Sequence, residues 1–161
     1  MVMKKIAILY SKYIPTIDAI ISHLNNVQVE LFETMPNKDD FDLIINVNNK
    51  EQISYNHINV HYSLLPAFRS EEPVRDAILA GVKVTGVTFY YTHPEKIIAQ
   101  YPIFISNSSH YDDVERELEY IVQTLYPLVI EKILKNEAFE IKNLISKSCV
   151  GSCGGCSSCK N

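Results

Sequence analysis

The 161-residue sequence predicts an α/β fold: a mixed, mostly parallel sheet with helices on both faces and one long C-terminal helix. Three features predict it. Short apolar runs alternate with stretches of helical periodicity, two later runs form a hairpin pattern, and the last long segment carries a stripe repeating at three and four. With 47% hydrophobic residues the chain has enough apolar side chains to bury the core of one ordinary domain.

Lys5–Tyr10 (KIAILY) is the first buried strand, bounded by Ser11 and Lys12. Thr16 is placed to cap a helix through about Leu24, with Ile17, Ile20, Ile21 and Leu24 at helical spacing. Gln28–Phe32 alternates as a second strand, and Phe41–Val47 (FDLIINV) is a continuous run of the kind a doubly covered parallel sheet requires. Ile58–His61 is a fourth strand. Pro73 in a first turn and Gly81 past an end bracket a helix over roughly 71–80. Lys83–Thr92 and Lys96–Phe104 form an antiparallel hairpin through His93 and Pro94. From Asp112 the stripe Val114, Leu118, Ile121, Val122, Leu125, Val129, Ile130, Ile133 and Leu134 marks the long helix, which Pro127 is expected to bend. Residues 139–145 read as either a short strand or a turn. The organisation expected is one domain over 1–145 and a cysteine-rich tail over 146–161.

Composition excludes several classes. Net charge is −4 with no basic stripe, which argues against nucleic acid as a partner. The apolar run behind the N-terminal MVMKK is about five residues, short for a secretory signal, and no stretch nears the roughly 18 to 20 apolar residues of a membrane span. A cytoplasmic protein is expected. Its oligomeric state is not legible.

Within NVHYSLLP, Asn59 and His61 stand two apart on a strand and so project from one face. Alone, they read as a strand-ending amide and a half-buried histidine. Yet NVHYSLLPAF, then a helix ending in AG, then VKVTGVTFYY, IIAQ and LYPLVI, in that order, resemble the formyl transferase family typified by phosphoribosylglycinamide formyltransferase. The resemblance runs from about Asn59 to Ile133. It implies a Rossmann-like fold and transfer of a formyl group from 10-formyltetrahydrofolate to an amine. In that reading Asn59 offers an amide N–H to the developing oxyanion, and His61 donates to it when protonated or shuttles the amine proton. The pair is then expected over a hollow roomy enough for a pterin.

The departures from the family shape the rest of the expectation. The glycine-rich loop with which the family grips its ribonucleotide phosphate is here YSKYIPT, without glycine, so glycinamide ribonucleotide is not the expected acceptor. The turn lining the folate pocket is replaced by NNKEQISYNH. The family's Asp, which orients the histidine, falls at His93 in the shortened THPEK loop. Glu95 either reaches toward His61 in its place or is a solvated turn charge. Tyr62 and Ser70 stand where the family usually has Pro and Gly. His57, His61 and His93 form a further, lesser candidate as a metal triad. Two functions follow: a formyltransferase for some other small-molecule amine, or a catalytically degenerate relative that binds folate or a protein partner.

The first 148 residues contain no cysteine and the last 13 contain four: Cys149, Cys153, Cys156 and Cys159. Thiolates so close together, with glycine and serine between them, suit one centre, either an iron–sulfur cluster or zinc. The alternative is a reduced thiol-rich tail or redox switch.

Overall fold

The computed structural model describes residues 3–138. The four cysteines and residues 139–145 lie outside the described residues. Six strands form one sheet in the order β2-β1-β3-β4-β5-β6: β1 (Lys4–Leu9), β2 (Val27–Phe32), β3 (Leu43–Asn46), β4 (Ile58–His61), β5 (Val84–Thr92) and β6 (Glu95–Phe104). The first four pair in parallel, and β5 and β6 run antiparallel at one edge. The helices are α1 (Pro15–His23), α2 (Pro73–Leu79) and α3 (Tyr111–Leu134). This is the predicted mixed, mostly parallel sheet with a long closing helix.

Apolar alternation explains which side of the sheet α3 covers. Ile6 and Ile8 of β1, Ile45 of β3, Ile58 of β4 and Val87 and Phe89 of β5 are buried with Ile17 and Ile20 of α1 and Leu118, Val122 and Ile130 of α3. Tyr126 stacks its ring 5.1 Å from that of Phe89, and its buried hydroxyl donates to the Asn46 carbonyl at 2.7 Å, with the Ile58 carbonyl at 3.3 Å. These carbonyls flank the junction of β3 and β4, where the only paired residues are Ile45 and Ile58. On the opposite side of β1 and β2, Lys5 and Phe32 meet Phe41, which arrives through irregular chain and one short 3-10 turn, Lys38–Asp40.

Several local expectations are corrected. Thr16 does not cap α1: the chain enters through extended Ile14 with Pro15 in the first turn, and Thr16 is buried one position inside. Proline's fixed φ and missing N–H start the helix without a side-chain cap. Only Leu43–Asn46 of the 41–47 run is strand; Asn46, still paired with Leu9, uses its side chain to organise the turn that follows. α3 continues through Pro127 as one helix. Gly81 fulfils its expected role, with φ of +69° just past α2.

Candidate functional site

β4 carries Asn59 and His61 to the carboxyl edge of the parallel strands, on the side of the sheet away from α3. Register fixes their neighbours: Asn59 lies opposite Tyr90 and His61 opposite Thr88 on β5, and directly opposed residues share a face. The structure therefore brings the predicted pair together. The Asn59 Oδ1 accepts the N–H of Val60 at 2.9 Å, which turns its Nδ2 into the outward donor. Burial raises the Tyr90 phenol, while Arg69 and the Asn59 carboxamide beside it pull the other way.

His61 Nε2 lies 3.0 Å from the Phe68 carbonyl. A carbonyl only accepts, so Nε2 carries a proton, and in the neutral ring Nδ1 keeps its lone pair. Phe68 reaches that place in a left-handed conformation, φ +49°, which a bulky residue adopts only under constraint. The constraint is a set of hydrogen bonds around Thr88. Its Oγ1 donates to Ser63 O (2.7 Å) and accepts from Leu65 N (3.0 Å) and Gln100 Nε2 (3.0 Å), while Gln100 also donates to Leu65 O (2.9 Å). Ser63 in turn donates to Ala67 O at 2.6 Å. Gly86 is required here because a Cβ would sit 2.1 Å from Tyr101 O and 2.7 Å from Leu64 Cδ2.

Glu95 is the exposed hairpin-turn charge of the second expectation, not a carboxylate behind His61. At the surface it forms a two-pronged pair with Arg69, at 2.6 and 2.7 Å, instead of reaching His61. The planar guanidinium fork matches a carboxylate better than an imidazole edge does. Arg69 was not singled out by the sequence, since one arginine in a loop carries no periodic signal. Tyr62, where the family usually has Pro, points toward α3; its hydroxyl is pushed up to about 12 by burial, with Glu119 and Glu115 adding to the effect.

The loop after β1 is closed from within. Asn48 Oδ1 accepts the backbone N–H groups of Ser11 (2.9 Å) and Lys12 (3.3 Å), and its Nδ2 donates to Lys12 O (2.7 Å). Buried Asn49 donates to Tyr10 O (3.3 Å) and Glu33 O (3.0 Å), and Asn46 and Asn49 exchange further bonds at 2.8 and 2.9 Å. Three asparagines thus tie together the ends of β1, β2 and β3. The amides that an anion at this edge would need already have a partner.

The histidine triad does not assemble. His57 is buried before β4, its Nδ1 between Tyr55 O (2.9 Å) and Thr92 Oγ1 (3.0 Å), with the His93 ring 6.4 Å away. Burial lowers its pKa most, its bond to Tyr55 opposing and His93 adding to the fall. His61 is at the other end of the strand, and among the described residues no group of three or more His, Cys, Asp or Glu is disposed to hold a metal ion. Two cavities, of about 700 and 600 Å3, lie at the opposite edge, where the parallel strands begin. Neither is lined by Asn59 or His61, unlike the pterin-sized hollow expected over them. Among the described residues no helix is long and apolar enough to cross a membrane.

A mixed, mostly parallel six-stranded sheet closed by a long C-terminal helix is a Rossmann-like fold of the formyltransferase type. The formyl transferase family matches residues 39–130, over half of the chain, and the chain belongs to that family. Phosphoribosylglycinamide formyltransferase of Bacillus subtilis (strain 168) is 40% identical over 83 residues, which are 48% of this chain and 42% of that protein. A methionyl-tRNA formyltransferase of Halalkalibacterium halodurans is 32% identical over 84 residues, 50% of this chain and 26% of the relative. Formyltetrahydrofolate deformylase 2, mitochondrial, of Arabidopsis thaliana is 31% identical over 88 residues, 52% and 25%. The chain therefore spans less than half the length of these curated relatives. Among solved structures, phosphoribosylglycinamide formyltransferase from Bacillus Halodurans superposes with a TM-score of 0.67 at 22% identity, covering 85% of this chain and all of that one. The enzyme from Anaplasma phagocytophilum gives 0.69 at 16%, covering 84% and 89%. At such identities the likeness is one of fold.

Proposed function

We propose that the chain transfers a formyl group from 10-formyltetrahydrofolate to a small amine that carries no phosphate anchored at the β1 edge. The observation that carries this reading is the fixed orientation of the Asn59/His61 pair: one carboxamide whose Oδ1 is taken by the Val60 N–H, so that its donor end Nδ2 lies beside Tyr90, and one imidazole whose Nε2 is taken by the Phe68 carbonyl, both on one face of β4. This donor set fits a formyl oxygen. The folate, when bound, supplies the activated formyl carbon. Asn59 Nδ2 donates to the oxygen as negative charge gathers there, with no reorganisation needed at that moment. His61 Nδ1 takes the proton from the amine nitrogen as its C–N bond forms. It returns that proton to the donor's nitrogen as the old C–N bond breaks, so the ring ends neutral.

Asn48 supports the restriction on the acceptor. With its Oδ1 on the Ser11 and Lys12 amides, a ribonucleotide phosphate would have to displace an internal ligand. The test is consumption of 10-formyltetrahydrofolate in the presence of phosphate-free primary amines and, separately, of glycinamide ribonucleotide. Turnover with the former alone is expected; faster turnover with the ribonucleotide would overturn the restriction.

A second reading has one observation in its favour. Glu95 is held by Arg69, and among the described residues His61 is hydrogen-bonded to a main-chain carbonyl and not to a carboxylate. A catalytically silent relative that binds folate or a protein partner, using Cys149, Cys153, Cys156 and Cys159 for metal or redox chemistry, accounts for that. Binding of folate without turnover of any amine would favour it.

A further inference from the structure

We infer that the Phe68 carbonyl, held in place by Thr88 and Gln100, stands in for the missing carboxylate and fixes His61 in one neutral tautomer; the inference deepens the reading of Asn59 and His61 as the reacting pair. A histidine that is to accept a proton at one nitrogen needs its other nitrogen protonated and bound. Here the bound nitrogen is Nε2, 3.0 Å from Phe68 O. The partner is backbone, so its position depends on the loop and not on a rotamer.

The loop is fixed by the buried Thr88 hydroxyl, which has no spare bonding capacity, and by the half-buried Gln100. The Thr88 hydroxyl has one proton and two lone pairs, and Ser63 O, Leu65 N and Gln100 Nε2 use all three. Gln100 adds a second bond to Leu65 O. Leu65 is three residues before Phe68, and the Ser63–Ala67 bond closes most of the interval. The φ of +49° at Phe68 is a conformation that the chain adopts only when its surroundings over-determine it. Thr88 and Gln100 are thus positioning residues acting through the backbone, and neither need touch substrate.

A carbonyl orients the ring as a carboxylate does but brings no charge to stabilise imidazolium, and a neutral hydrogen bond is roughly half as strong as a charge-assisted one. Of the two roles expected of His61, this orientation favours shuttling the amine proton through Nδ1 over donating to the oxyanion. Asn59 is left as the principal donor to the oxyanion.

The test is the two-bond proton–nitrogen spectrum of the full chain with 15N-labelled histidine side chains, His61 being assigned by its loss in His61→Gln. The neutral wild-type ring is expected to show Nε2 protonated and Nδ1 bare. Thr88→Val, which keeps the side chain's shape and removes the hydroxyl, is expected to mix the two tautomers, and Thr88→Ser to restore the single one. Gln100→Leu is expected to mix them as well and serves if Thr88→Val does not fold. A wild-type ring protonated at Nδ1, or folded Thr88→Val and Gln100→Leu proteins with the wild-type spectrum, would overturn the inference. Because the spectrum is read without substrate, absence of formyl transfer would bear on the proposed function and leave this result standing.

Discussion

Tyr126→Phe isolates one hydroxyl at the weakest seam of the sheet. β3 and β4 are paired at a single register position, Ile45 with Ile58, and the Tyr126 hydroxyl bonds to the neighbouring Asn46 carbonyl from a fully buried place on α3. Removing it keeps the ring against Phe89 and creates almost no cavity. What is lost is one buried hydrogen bond to Asn46 O and the longer contact with Ile58 O at 3.3 Å. A buried acceptor left without its partner costs about 1–3 kcal/mol, so a midpoint loss of about 2 kcal/mol is expected. In a domain of this size that corresponds to a fall in Tm of roughly 4–8 °C. Urea denaturation should show the midpoint falling at constant m, since the same surface is exposed on unfolding. A change within about 0.5 kcal/mol, the range of a surface substitution, would refute the idea that this hydroxyl bridges the seam.

Other outcomes follow from the same structure. Asn49→Asp keeps the shape but replaces two donated hydrogen bonds, to Tyr10 O and Glu33 O, with an acceptor facing two acceptors; a loss of about 2–3 kcal/mol is expected by denaturation, several times that of Asn48→Ala at the exposed rim. Glu131 is held down to about 2 by its hydrogen bonds to Lys135 and His23, the latter at 2.7 Å. Because the folded value lies below the ordinary 4.5, its contribution is present above that pH and is lost as pH falls through about 2. Both partners are substantially exposed, so Glu131→Gln should remove no more than about 1 kcal/mol of acid-dependent stability, read as a flatter denaturation midpoint between those pH values. If Cys149, Cys153, Cys156 and Cys159 ligate a centre, the full chain purified without oxygen should carry stoichiometric zinc or iron with brown colour. Either signal should vanish on changing the four to Ser; absorption and elemental analysis showing neither would remove the metal reading.

Sequence pattern was informative where structure depends on local periodicity and weak where it depends on who meets whom. Apolar runs and turn residues located six strands and three helices, and parity alone put Asn59 and His61 on one face. Pattern could not distinguish Thr16 as a cap from Thr16 buried behind Pro15, since both place a hydroxyl at a helix start. Asn48 and Asn49 carried no signal in the pattern; their partners at Ser11, Lys12 and Tyr10 lie 37, 36 and 39 residues away. Tyr126 was hidden inside an apolar stripe. The orienter of His61 was invisible for a deeper reason: it is a main-chain carbonyl, and no side-chain identity announces it. Glu95 was legible as a turn charge, but its pairing with Arg69 was not, since nothing in the sequence pattern relates residues 26 apart.

The most direct measurement of the central claim is calorimetric titration of the full chain with a stable 10-formyltetrahydrofolate analogue, in wild type and in His61→Ala. Saturable heat in the wild type, weakened or lost in the variant, is the result the account predicts. No heat in either protein would contradict it, and a family fold without the family's donor would be what remains.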